Sequence, residues 1–99
     1  MAYPIEFTPN AREHFAAFTA RQRAMLRDGI VRHLVNRPTV GTRQRRRLRP
    51  NSLAGSRLRI GNLRVYYDVL DTPKPVVLVQ AIGIKVRNRV FVAGEEIEP

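Results

Sequence analysis

Arg57, Arg59, Arg64 and Tyr66 carry most of the chemistry this sequence offers. Arg57 and Arg59 alternate with Leu58 and Ile60, the period of a strand with one face buried and the other exposed. Gly61 and Asn62 follow as the expected two-residue turn, because both residue types tolerate the positive φ that tight hairpins need. In that register Ile60 faces Leu63, Arg59 faces Arg64, Leu58 faces Val65 and Arg57 faces Tyr66. The guanidiniums and a phenol then share one face. Like charges opposed across a ladder are destabilising, so a purely structural sheet gains nothing from Arg59 opposite Arg64. An anion held between them compensates, since the planar guanidinium fork matches phosphate oxygens. The pattern leaves two readings, a phosphate-binding surface and an ordinary solvated basic face.

The elements that must hold this hairpin fit one small domain spanning residues 1–99, with 43% hydrophobic residues to build a core. Eighteen Lys+Arg against eight Asp+Glu give a formal charge of +10 at pH 7. Such a field favours polyanionic partners: nucleic acid, an acidic protein segment or a membrane surface. Cysteine is absent, which removes disulfides, thiolate metal sites and a thiol nucleophile. The N-terminal residues lack the apolar core of a signal peptide, and the longest apolar run is far shorter than a membrane span. A soluble cytoplasmic protein that does not engage a membrane is expected.

Tyr3, Ile5 and Phe7 alternate with polar residues and suggest a first strand. Thr8 before Pro9 opens a helix carrying Ala11, Phe15 and Phe18. Thr19 and Gln22 have capping-box spacing and start a second helix, with Leu26, Ile30 and Leu34 as its apolar stripe and Pro38 ending it. Gly29 in its middle suggests close packing against the first helix. Residues 37–55 are irregular and include the cluster Arg43, Arg45, Arg46, Arg47 and Arg49, with Leu48 as a core anchor. Arg45, Arg46 and Arg47 either extend the basic surface toward a nucleic-acid backbone or form a mobile solvated loop. Residues 71–75 form a turn around two prolines, and residues 76–82 form a central strand ended by Gly83. Beyond it, Lys85, Arg87 and Arg89 alternate with Val86 and Val90 as a short edge strand, a loop or a helical turn. The acidic tail after Gly94 is expected to fray and to shield some basic surface. His14 and His33 read as helix-surface histidines, and Asp68 as a neutraliser of nearby arginines.

This order of elements, with LRIGNLRVYYDV at 58–69 and AIGIKVRNRVF at 81–91, resembles the RelE/ParE superfamily of toxins from bacterial type II toxin–antitoxin modules. The likeness runs from Tyr3 to Phe91 and leans to the RelE side. It implies an α+β fold: an N-terminal strand, a two-helix hairpin, then a three- or four-stranded mainly antiparallel sheet. It also implies a cognate antitoxin as partner and metal-independent, cofactor-free cleavage of mRNA in the ribosomal A site. Carried over by position, the family's paired cations fall on Arg57 and Arg59, its phosphate-stabilising arginine on Arg64 and its second cation on Lys85, with Arg87 as a substitute. The family's proton-transferring tyrosine falls on Phe91, which has no oxygen. Arginines stabilise a phosphorane but move no protons, so the alternatives are a ParE-like inhibitor of DNA gyrase and a catalytically dead RNA-binding relative.

Overall fold

The computed structural model describes residues 2–36 and 41–97. Pro38, expected to end the second helix, lies outside them, as do residues 98 and 99 of the acidic tail. Strand β1 (Ile5–Phe7) leads into helix α1 (Pro9–Ala17), whose start is set by Thr8 Oγ1 accepting from the Ala11 N–H at 3.1 Å. Helix α2 (Ala20–Leu34) opens on the full capping box: Thr19 Oγ1 accepts from Gln22 N, and Gln22 Oε1 accepts from Thr19 N. The strands that follow are β2 (Arg45–Arg47), β3 (Ser56–Ile60), β4 (Leu63–Leu70), β5 (Val76–Val86), β6 (Arg89–Val92) and β7 (Glu95–Ile97).

All the strands join one sheet in the order β2-β3-β4-β5-β6-β7, antiparallel throughout, with β1 added parallel to β5. β1 takes Val77–Val79 of β5 and β6 takes Gly83 to Val86, so the two share one edge of the same long strand. The helices bury one face of the sheet. There Ala11, Leu26, Ile30 and Leu34 meet Leu58, Leu63, Val65, Tyr67, Val77, Val79 and Ile82. The opposite face carries a smaller apolar cluster of Ala54, Tyr66, Ala81 and Val92, closed by Leu48, Leu53, Val90 and Ile97.

Several sequence expectations are corrected by this topology: six strands among the described residues, not three or four, follow the helices. Gly83 does not end the central strand: β5 runs on to Val86, turns through Arg87 and Asn88 at φ 51 and 68, and returns as β6. A second tight turn through Ala93 and Gly94 then pairs the acidic tail as β7 instead of letting it fray. The basic cluster supplies an edge strand, β2, and the segment behind it is organised by one side chain. Asn51 Oδ1 accepts from the N–H groups of Leu53 and Ala54, while its Nδ2 donates to the carbonyls of Arg49 and Ala54. Of the β3–β4 turn residues only Gly61 has positive φ, the pattern of a type II′ turn with glycine first.

Gly29 packs against β3, not against α1: a Cβ at that position would sit 2.4 Å from Ile60 Cδ1 and 2.8 Å from its Cγ1. Such contacts force the sheet and α2 apart, which outweighs the helix propensity that alanine adds. Gly29→Ala should therefore lower stability to urea by about 1–3 kcal/mol. Ile60→Val, which removes Cδ1 but keeps Cγ1, should recover part of that loss in the double variant.

Candidate phosphate-binding face

The β3–β4 hairpin forms in the register read from the sequence: Arg57 opposite Tyr66, Leu58 opposite Val65, Arg59 opposite Arg64 and Ile60 opposite Leu63. Because side chains alternate across a strand, the even-numbered residues 64, 66 and 68 of β4 lie on the face away from the helices. Two cross-strand rows result. Arg46 of β2, Arg57 of β3, Tyr66 of β4 and Ala81 of β5 form one. Arg59, Arg64, Gly83, Val92 and Glu95 form the next. Lys85, two residues beyond Gly83 on the same face, lies beside the hairpin turn, where its N–H donates to the Asn62 carbonyl at 2.7 Å.

The charges on this face are close, and among the described residues no ion pair compensates them. Arg64 is only 4% exposed, and its Nη1 donates to the carbonyls of Gly61 and Leu63 at 2.8 and 2.9 Å, which pins the guanidinium over the turn. Burial, then repulsion from Arg59, holds it below the usual arginine pKa. Burial depresses Arg57 as well, followed by the fields of Arg46, Arg64 and Arg59. Arg59 is exposed, with Nη2 donating to the Arg43 carbonyl. Among the described residues the ion pairs are Arg32 with Asp28 and Arg89 with Glu96, and neither involves this cluster. Asp68, on the same face, does not neutralise arginines as the sequence suggested. Its Oδ1 accepts from the Gly55 N–H at 2.7 Å and its Oδ2 from Gln80 Nε2 at 3.0 Å, so it anchors the segment that covers Tyr66.

The structure thus gathers Arg57, Arg59, Arg64, Lys85, Tyr66 and Arg46 on one face and places the other candidates elsewhere. Arg45 points to the helix side, where its Nη1 donates to the His33 carbonyl at 2.7 Å. Arg47, opposite Ser56, shares that side and is exposed. Arg87 occupies the β5–β6 turn, and Arg89 faces Glu96 on the helix side. Phe91, opposite Ile84, also faces the helices and borders a groove of about 350 Å³ with His14, Phe18 and Ile82. The position where the resembling family carries its tyrosine therefore lies across the sheet from the arginines. His14 proves to be more than a surface histidine, since its Nδ1 accepts from the Ile82 N–H at 3.2 Å.

No family model matches this sequence, and no curated protein does. Its fold is that of a chain in the crystal structure of the toxin–antitoxin complex RelBE2 from Mycobacterium tuberculosis: the TM-score is 0.71 over 86% of this chain and 100% of that one, at 21% identity. The likeness supports the α+β architecture expected above.

Two outcomes follow from the charge arrangement. Arg59→Ala relieves its repulsion with Arg64 and should leave the domain as stable to urea or more so, by up to about 1 kcal/mol at low salt; a loss above about 2 kcal/mol would make the residue structural. On the helix side, burial and the neighbouring Arg45 and Arg32 lower the pKa of His33 below its ordinary 6.5. The unfolded chain then binds that proton more readily, so part of the stability present at pH 7 is lost as pH falls through about 6.5 and below. Urea midpoints for His33→Gln should decline less than those of the unaltered protein between neutral and mildly acidic pH.

Proposed function

We propose that this chain is the toxin of a bacterial type II toxin–antitoxin module, a RelE-like, ribosome-dependent endoribonuclease that stops translation by cutting mRNA in the A site. The observation that carries the reading is the unpaired guanidinium cluster of Arg57, Arg59 and Arg64, opposed in register and without a carboxylate partner among the described residues. Cutting by the neighbouring 2′-hydroxyl passes through a phosphorane whose charge exceeds that of the bound phosphodiester. Fixed cations placed beforehand favour that state over the ground state. In this reading Arg64, pinned by the turn carbonyls, meets the scissile phosphate with no ordering left to do. Arg57 and Arg59 clamp the same group, Lys85 steadies the adjoining backbone and Arg46 extends the track.

A cognate antitoxin, supported by the complex in which the structural neighbour occurs, would hold the toxin inactive. The same cations that bind RNA favour an acidic segment of such a partner. The competing reading, a gyrase inhibitor that does no chemistry, draws on the placement of Phe91 and the scarcity of proton-transfer groups around the arginines.

Primer extension on mRNA translated in a reconstituted system separates these functions. Cuts within codons at the A site should appear with the unaltered protein and fall by about 100-fold or more in Arg64→Ala. Circular dichroism and a urea midpoint check that this variant folds, and Arg64→Lys, which keeps charge without the fork, should recover only part of the rate. Intact message together with inhibited DNA supercoiling would replace the proposal by the gyrase reading.

A further inference from the structure

Beneath the cationic surface lie two polar atoms that the fold leaves unsatisfied. Tyr66 is 0% exposed, and its hydroxyl is buried without a hydrogen-bond partner. Nε of Arg57, the residue directly opposite it, is buried and unpartnered in the same way. Leaving a buried polar group without a partner is costly, and native folds rarely keep one without a use. Packing does not supply that use. The cluster around the ring is Ala54, Ala81 and Val92, and phenylalanine would serve it without an orphan hydroxyl.

Both atoms present protons. An Nε–H can only donate, and the phenol needs an acceptor for its own hydrogen. The charges acting on the phenol come from Arg57, Arg64 and Arg46, and guanidiniums accept nothing. What satisfies the pair is an anionic oxygen from outside the chain. A phosphodiester suits the site, since one non-bridging oxygen can take both donors while the other meets the exposed Arg59 and Arg46.

We propose that the Tyr66 hydroxyl and the Arg57 Nε–H together form a two-donor pocket for one non-bridging oxygen of an RNA phosphate. The assignment rests on reading this face as the RNA-binding surface, and it deepens that reading by giving the surface a neutral donor at its base. Arg46 is exposed and is not held by an ion pair among the described residues, so its side chain can turn outward as the phosphate enters. A neutral donor at the floor adds affinity without adding charge. Its contribution is therefore separable from counterion release.

The experiment is fluorescence anisotropy of a short labelled 2′-O-methyl RNA, which resists cleavage, titrated with full-length protein over a series of salt concentrations. Tyr66→Phe should weaken binding about tenfold at every salt concentration and leave the slope of log K against log salt unchanged, because no counterion-releasing charge is lost. Arg57→Ala should weaken binding and flatten the slope by about 0.7, the share of one phosphate contact on a single strand. The unliganded Tyr66→Phe protein should unfold at the same urea concentration or a higher one. Binding by Tyr66→Phe equal to the unaltered protein overturns the pocket while leaving the cationic face intact. No RNA binding by the unaltered protein overturns the pocket and the reading of the face together. If Tyr66→Phe weakens polyglutamate as much as RNA, the pocket is not a phosphate site and the proposal fails.

Discussion

The register of the β3–β4 hairpin is the constraint on which this molecule depends. Side chains change face with every residue along a strand, so a slip of one position would send Arg57, Arg59, Arg64 and Tyr66 into the helix-covered core. It would also expose Leu58, Val65 and Tyr67, which are buried in that core. The turn holds the register through Gly61, whose positive φ is cheap only for glycine, and the core holds it through Leu58, Leu63 and Val65. Arg64 then reinforces the turn that positions it, because its Nη1 bridges the carbonyls of Gly61 and Leu63. The residue read as a phosphate ligand is thereby also a brace of its own hairpin.

The two faces of the sheet divide stability from charge. Helices α1 and α2 cover one face, and the large apolar cluster beneath them contributes most of the burial that opposes chain entropy. Among the described residues no helix covers the other face. A short covering segment, organised by Asn51 and tied to β4 through Asp68, shelters a few apolar residues and leaves Arg46 and Arg59 open. Concentrating like charge there costs stability through repulsion, and the core on the opposite face carries that cost. Glu95 shares the cationic face but sits three strands from Arg64, about 14 Å at ordinary strand spacing, so the acidic tail offers little neutralisation.

Much of this was legible in the sequence because the signals were local. Alternation, a glycine turn and two helix caps marked the hairpin and the helix starts, and each depends on residues within a few positions of one another. The errors came where side-chain direction depends on a partner strand that local pattern does not reveal. Arg45, Arg46 and Arg47 form one run in sequence, yet pairing with β3 sends Arg46 to the cationic face and the other two to the helix side. After Gly83 the difficulty was the same. Arg87 and Asn88 turn tightly by taking positive φ, which asparagine tolerates but arginine does not announce, so the parity that puts Arg89 and Phe91 on the helix side was hidden. Asn51 was readable as a turn former, but not as the residue that orders a whole segment.

The place of Phe91 bears on how any chemistry at this face would run. With that position turned toward His14 and Ile82, a tyrosine there would not reach the arginines without a different path for the chain after Gly83. Around the arginines, the side chains able to exchange a proton near neutrality are few. Asp68 has both oxygens engaged, by Gly55 and Gln80, and burial raises the Tyr66 hydroxyl above its ordinary value against the pull of three guanidiniums. Tyr66 therefore stays a proton donor at neutral pH. It suits holding a phosphate oxygen better than taking a proton from an attacking hydroxyl. A face of this kind stabilises charge strongly and moves protons poorly. Cleavage at such a face would need its general base from the substrate complex or from water.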